Sequence, residues 1–468
     1  MKLVIIGGGP GGYTAAIRAA QLGLEVVLVE EDKNLGGTCL NRGCIPTKAF
    51  AESASRWRQA RESAEFGVEI GEALKFNAER MLERKNAVVR RLAMGVSGLL
   101  KKNGVRVVNA RGRLLGGGRV EAGGEILEAD RILLATGSRV FVPPVFPVDG
   151  ERVVTSDEIL RLGRVPESLI VVGSGAVGME FACIYASLGS KVSVVEMLPR
   201  LLPLEDEEVS AEMLRLMRKA GLNIYLQAKI TEVKTENGRV AAYGENLGPE
   251  GRIEAEMLLA AVGRRANLQD LGLEKAGLEI NARGRLEVNK YMQTAVESIY
   301  AVGDIIPAPQ LAHMASAEGI LAVEHMAGLP VRELNFANCP AATYTHPEVA
   351  SVGLTQQQAE EAGIGVKIGK FPFAALGKAA VGGHTDGFVK VVAEAESGRI
   401  LGVHIIGCGA CDLIAEASVA VQNGLTLEDV KNSVHPHPGL AEAVAEAVHH
   451  ALGEPLNFVP PPPRRPRR

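Results

Sequence analysis

Leu3 to Ile6 is an unbroken apolar run, too short for a helix and of the kind that a strand buried on both faces requires. The hexad Gly7-Gly8-Gly9-Pro10-Gly11-Gly12 follows, and then Tyr13 to Leu22, where apolar residues recur at helical spacing until Gly23 stops the pattern. A second apolar strand, Val26 to Val29, ends on Glu30. The same succession returns later: Ser168 to Val172 as strand, Gly173-Ser174-Gly175-Ala176-Val177-Gly178 as turn, Met179 to Leu188 as helix, Gly189 as stop, and Val192 to Val195 as a strand ending on Glu196. In both copies the stopping glycine lies 16 residues after the first glycine and the acid 23 after it. Matched offsets of this kind predict two doubly wound sheets built to one plan. Two further apolar runs that end in small residues, Ile132 to Gly137 and Leu258 to Gly263, are expected to return to these sheets as strands.

Between the two units, Ala49 to Gly104 has helical periodicity with many charges, and Trp57, the only tryptophan, is expected to be a packing residue there. Val142-Pro143-Pro144 with Pro147 marks a linker. Ile299 to Asp304 predicts a strand ending at an acid, and a helix follows through His325. From Asn338 onward the pattern changes to alternating strands, such as Gly387 to Val392 and Leu401 to Ile406, with helices after them and no Gly-rich turn. An α+β domain without its own nucleotide is a candidate for subunit contact. The expected fold is therefore α/β, with two doubly wound dinucleotide-binding (Rossmann-like) domains plus a C-terminal α+β dimerisation domain. Its boundaries fall at 1–145 and 266–335 for the first domain in two segments, 146–265 for the second, 336–457 for the interface domain and 458–468 for a Pro/Arg-rich tail.

In each repeat the first glycine (Gly7, Gly173) makes the tight turn. The second (Gly9, Gly175) lets the backbone approach a pyrophosphate, and the third (Gly12, Gly178) lets helix and sheet pack closely. The helix N-terminus then faces the phosphates. Glu30 and Glu196 stand where a carboxylate accepts hydrogen bonds from ribose hydroxyls. Glu196 welcomes a free 2′-hydroxyl and repels a 2′-phosphate, so the second site is expected to prefer NAD to NADP, and Arg200 alone makes no phosphate clamp. One chain thus holds two dinucleotides.

Composition narrows the setting. Hydrophobic residues make up 47% and charged residues 23% of 468, the balance of a soluble globular protein of about three domains. A net charge of -4 gives no reason to expect nucleic acid. No apolar stretch reaches the roughly 18 residues of a membrane span, and Met1-Lys2 runs straight into a strand, so a cytoplasmic protein is expected. Six cysteines in such a setting do not suggest a disulfide framework. Cys39 and Cys44, with four residues between them in the glycine-bracketed stretch Gly36 to Lys48, form a pair of another kind. A bridge over so short a loop stabilises little and suits a dithiol that opens and closes, although the spacing taken alone fits two buried structural cysteines equally well. The Cys408-Gly409-Ala410-Cys411 stretch lacks the second pair that a zinc site requires, so no metal is expected.

These residues together resemble the flavin-dependent pyridine nucleotide-disulfide oxidoreductases, from Gly7 to about Pro455. The most specific pieces are Gly36 to Lys48, Gly303-Asp304, Tyr344 to Glu348, and His435-Pro436-His437-Pro438 with Glu442. Gly11-Gly12-Tyr13 and Glu196 lie closer to the lipoamide branch than to the glutathione branch. The resemblance implies FAD in the first site, with Glu30 on the adenosine ribose, Thr38, Gly137 and Ala312 along the cofactor and Asp304 on the ribityl chain. It implies NAD in the second, against Gly173, Gly175, Gly178, Glu196 and Gly263. Lys48 and Glu180 correspond to a pair beside the flavin ring, where an ammonium favours the anionic reduced form. His437 corresponds to the base that deprotonates a dithiol substrate, with Glu442 fixing its tautomer, both supplied by the opposite subunit of a homodimer. The implied reaction is reoxidation of protein-bound dihydrolipoamide with NAD, through a Cys39–Cys44 redox disulfide. The implied partners are the lipoyl domain and the subunit-binding domain of a 2-oxo acid dehydrogenase acyltransferase. Gly439 and Ala441 depart from the family's usual hydroxyl residues, and Met314 from a frequent lysine. Two other readings stay open: a different disulfide or metal-ion reductase of the same family, and a mainly docking subunit whose basic tail from Pro460 meets an acidic partner.

Overall fold

A computed structural model describes residues 1–71 and 74–459, so the expected tail from Pro460 lies outside the described residues. The chain separates into two compact units, one of Met1–Pro166 with Met257–Phe336, the other of Glu167–Glu256 with the chain from Ala337.

In the first unit β1 (Lys2–Ile6), α1 (Pro10–Gln21) and β2 (Glu25–Glu30) form the expected βαβ unit, followed by two helices in close succession, α2 (Gly37–Arg42) and α3 (Cys44–Glu62). The sheet runs Ile299–Ala301, Arg131–Leu134, β1, β2, Arg106–Asn109, and every pairing is parallel. Ile132 to Leu134 thus returns beside β1, as its apolar run requires. β1 sits between strands that lead to opposite sides of the sheet, which opens a crevice beyond its carboxyl end, where a doubly wound sheet binds its ligand. Leu3, Ile5, Leu28 and Leu133 are fully buried in the core between sheet and helices. The charged stretch before Gly104 is helical from Ala78 to Lys102, with Asn77 accepting from the Arg80 amide as its N-cap and only one face buried. Trp57 is half-buried and packs edge-on against Phe76, with ring centroids 5.7 Å apart.

The second unit opens with β3 (Ser168–Val172), α4 (Ala176–Ser187) and β4 (Lys191–Val195), again parallel, with Asn223–Tyr225 beyond β4. All five residues of β3 are buried. The interface region is a five-stranded antiparallel sheet in the order Ala341–Thr343, Glu348–Gly353, Ile400–Gly407, Phe388–Glu394, Val366–Pro372. Helices Ala410–Gln422 and Glu442–Ala451 bury their apolar faces in the same core. A fully buried Lys390 on this sheet bonds Asp206, which caps the helix Glu207–Lys219, at 2.9 Å. An unpaired charge there would be costly, and the bidentate partner compensates it.

The run from Leu258 pairs in parallel with Val153–Val154 within the first unit. Also in that unit, α5 (Ala312–Met326) lies along α1, close enough that a Cβ on Gly319 would sit 2.5 Å from the Gly11 carbonyl oxygen. Among the described residues no helix is long and apolar enough to cross a membrane.

Candidate active site

The glycine turn after β1 is held by its own backbone. Gly7 takes a left-handed φ of 110°, and a Cβ on Gly12 would fall 1.8 Å from the Gly7 carbonyl oxygen, so no side chain fits where α1 meets the turn. Gly9 differs: a Cβ there would meet nothing nearer than 3.8 Å, which leaves the space a diphosphate needs. In the second unit Gly173 has φ 96°, a Cβ on Gly178 would lie 1.9 Å from the Gly173 oxygen, and one on Gly175 would meet nothing within 4 Å. The two turns are therefore physical copies, not merely sequence copies.

Their acids are hung identically. Glu30 accepts from the Gly8 amide at 2.6 Å and the Asp32 amide at 2.8 Å. Glu196 accepts from the Ser174 amide at 2.8 Å and the Leu198 amide at 2.9 Å, and Ser174 adds its hydroxyl at 2.8 Å. Each carboxylate thus ties the second residue of its turn to the chain just beyond the second strand and keeps further lone pairs for a ribose. Burial pushes the Glu30 carboxyl above its ordinary range, against the pull of the two amides.

The dithiol segment is built onto the first turn. Gly36 donates its amide to the Gly8 oxygen at 2.9 Å, and a Cβ on Gly37 would lie 2.7 Å from the Gly9 Cα. Gly36 and Gly37 have φ of 106° and 56°, both in the left-handed region that glycine adopts freely. From this crossing α2 carries Thr38 and Cys39, and after Gly43 α3 begins with Cys44 and carries Lys48 one turn on. Asn41 braces the loop by donating to the Leu35 and Gly37 carbonyls, and Thr47 donates to the Gly43 carbonyl at 2.7 Å. The Cys39 and Cys44 side chains are hydrogen-bonded to each other, both half-buried and both thiols here. That bond, with burial second, pushes the Cys39 thiol well up, while the Lys48 ammonium pulls the other way. The two sulfurs and the Lys48 ammonium thus act on one another, as a pair that opens and closes requires.

Asp304, in the turn Gly303–Ile305, accepts a short hydrogen bond from the Ser138 hydroxyl. Arg264 donates to that hydroxyl and to the Ser138 carbonyl, each at 2.7 Å, and its guanidinium stands 4.0 Å from Asp304. Burial lowers the Arg264 pKa, with Asp304 and Asp157 opposing the shift. Neither Ser138 nor Arg264 stands out in the sequence as a site residue. The one signal is position, each directly following a glycine at the end of an apolar run. Gly137 and Gly263 themselves leave open space around a would-be Cβ. Gly263 belongs to the first unit, where its carbonyl accepts from the Phe141 amide. Ala312 is the first residue of α5.

In the second unit Glu180 on α4 is buried and accepts the Tyr344 amide at 2.9 Å, tying the helix after the second glycine turn to the start of the interface region. Lys48 and Glu180 fall in different units. His437 and Glu442 are joined directly, Nδ1 to Oε1 at 2.9 Å, and the other Glu442 oxygen accepts the Gly439 amide at 2.8 Å. A carboxylate only accepts, so Nδ1 carries the proton and Nε2 is left basic. The Gly439 amide first, and His437 second, hold the Glu442 carboxyl below its ordinary range. His437 is 79% exposed, in keeping with a group presented outward. His435, in contrast, is spent on Glu416 at 2.7 Å. Cys411 donates its amide to Glu348 at 3.0 Å and faces the Thr343 and Val349 carbonyls at 3.9 Å. Among the described residues no group of three His, Cys, Asp or Glu side chains is placed to hold a metal ion.

Comparison with known proteins agrees with this layout. Residues 1–319 match the family model described as pyridine nucleotide-disulphide oxidoreductase, and residues 339–448 match the dimerisation domain of the same family. A dihydrolipoyl dehydrogenase of Bacillus subtilis is 45% identical over 97% of this chain and 99% of its own length. One from Zymomonas mobilis is 41% identical over the same shares. Among solved structures, LpdA from Mycobacterium tuberculosis superposes with a TM-score of 0.90 at 28% identity, covering 96% of this chain and 99% of that one.

Proposed function

The chain belongs to the pyridine nucleotide-disulphide oxidoreductase family, and from that membership we propose that it reoxidises protein-bound dihydrolipoamide to lipoamide with NAD as acceptor. It is an FAD- and NAD-dependent flavoprotein oxidoreductase, and its family dimerisation domain makes it a homodimer. The observation that carries the reading is the crossing of Gly36-Gly37 over Gly8-Gly9, which fixes a proton-sharing thiol pair to the rim of a dinucleotide turn.

The residues present fit both nucleotides, since the turns are open at Gly9 and Gly175 and closed at Gly7, Gly12 and Gly178. Gly7, Gly9, Gly12, Glu30, Thr38, Gly137, Asp304 and Ala312 would hold FAD, with Lys48 beside it. Gly173, Gly175, Gly178, Glu196 and Gly263 would hold NAD. Bound FAD supplies a two-electron acceptor that hands hydride to NAD. The chain's own residues do the sulfur chemistry. The partner subunit's His437, held in its Nδ1–H tautomer by Glu442, takes a proton from one substrate thiol. The resulting thiolate attacks Cys39 of the Cys39–Cys44 disulfide, which forms a mixed disulfide and releases the Cys44 sulfur as thiolate. The second substrate thiol then displaces Cys39, the substrate leaves as a cyclic disulfide, and the protein is left with two reduced sulfurs. Lys48 and Glu180 are assigned to the surroundings of the ring.

The domain division at 145, 265, 335 and 457, the lipoyl and subunit-binding domains of a 2-oxo acid dehydrogenase acyltransferase as partners, and a cytoplasmic location belong to the same proposal. NAD reduction by dihydrolipoamide, measured beside NADP, glutathione disulfide and mercuric ion, tests it. Turnover confined to dihydrolipoamide with NAD is expected, and a preference for glutathione disulfide or NADP would overturn it.

A further inference from the structure

Glu318 is the one acid in the apolar middle of α5, its side chain fully buried, and neither the glycine turns nor the dithiol uses it. Its Oε2 accepts the Gly303 amide at 2.6 Å, whereas its Oε1 is buried without a hydrogen-bond partner. Gly303 has φ 76° and begins the turn that carries Asp304. The side chain therefore reaches from a helix anchored on α1, through the close approach of Gly319 to Gly11, to the turn whose acid is bonded to Ser138.

Resting on the flavin reading above, we propose that Glu318 is a positioning residue of the FAD site, which acts through Gly303 to fix the height at which Asp304 meets the cofactor. A buried acceptor for one backbone amide could equally be a glutamine; the acid brings in addition a proton that can leave. Burial, with the nearby Asp304 charge helping, pushes the Glu318 carboxyl up to about 7. The elements packed on this stretch are α1, which meets it at Gly11 and Ala15, and the 302–304 turn, and the charged group that faces Glu318 from them is Asp304. Arg18 of α1 is committed to Glu324 further along α5, and Arg264 stands 4.0 Å from Asp304. In its neutral form Glu318 accepts the Gly303 amide without setting a second negative charge beside Asp304 and an anionic cofactor. Once ionised, it repels both.

The experiment follows FAD dissociation from the purified holoprotein by flavin fluorescence, for wild type, E318Q, E318L, D304N and E318L with D304N, at pH 5.5 and 8.5. E318Q keeps an oxygen for Gly303 and is expected to hold FAD within threefold of wild type at pH 5.5 and to lose the wild type's faster release at pH 8.5. E318L is expected to weaken FAD at least tenfold, and D304N to add little on top of it, because both act at one turn. Should E318L not fold, the comparison of wild type with E318Q across pH still decides. The proposal is overturned if E318L holds FAD like wild type, if the E318L and D304N losses add in full, or if E318Q follows the wild-type pH course. A wild-type protein that takes up no FAD would instead overturn the flavin reading itself.

Discussion

Replacing Glu442 by glutamine asks whether the His437 tautomer matters, and the structure fixes what the amide can do. Glu442 has two demands on it, the His437 Nδ1–H at 2.9 Å and the Gly439 N–H at 2.8 Å, and both want an acceptor. An amide has one. If its oxygen stays on the Gly439 amide, its NH2 faces Nδ1, which must then accept, and the proton moves to Nε2, where the substrate thiol needs a base. If it flips, His437 keeps its tautomer but the Gly439 amide loses its partner, at about 1 kcal/mol or more. A backbone donor cannot move away, whereas the 79% exposed imidazole can change tautomer at little cost, so the first arrangement prevails. General-base catalysis contributes about 10²- to 10⁴-fold. The exposed setting places E442Q near the lower end, so kcat for NAD reduction by dihydrolipoamide should fall about 100-fold. Oxidation of NADH by ferricyanide, which bypasses the sulfur steps, should stay within twofold. A kcat for dihydrolipoamide within threefold of wild type would refute the role given to the pair.

C44S and C39S should each abolish dihydrolipoamide turnover while the protein stays yellow, which absorbance of the purified flavoprotein checks. G178A places a methyl 1.9 Å from the Gly173 oxygen, so NADH should bind at least tenfold more weakly by titration, with FAD content unchanged. Because the folded Glu318 carboxyl sits near 7 against an ordinary 4.5, the folded state holds an extra proton between those values. The stability this gives is full below about pH 4.5 and is lost as pH rises through about 7, up to about 3 kcal/mol. Urea midpoints should therefore fall from pH 5 to pH 8 in wild type more than in E318Q.

The βαβ units were legible because their constraints are local: apolar runs, glycine where the backbone closes on itself, and an acid at a fixed offset. Cys39 and Cys44 drew notice for a similar reason, being near in sequence. What the sequence did not disclose was how the pair is held, since Gly36-Gly37 meets Gly8-Gly9 across some 28 positions through backbone atoms alone. Ser138 and Arg264 escaped notice because they act on Asp304, 166 residues from Ser138 in the first case, and no periodicity records such a contact. Glu318 was hidden otherwise, as a single acid in an apolar helix whose meaning depends on which amide lies opposite. His435 and His437 look alike in the sequence, and only their acids, Glu416 and Glu442, and their exposure separate them.

For anyone wishing to graft this chemistry elsewhere, the Gly36–Gly8 hydrogen bond sets the size of the piece to be moved. Transplanting the stretch from Cys39 to Cys44 into a foreign scaffold would carry two sulfurs but not their mounting. The smallest portable module begins at Lys2 and takes the whole first strand-helix-strand with it.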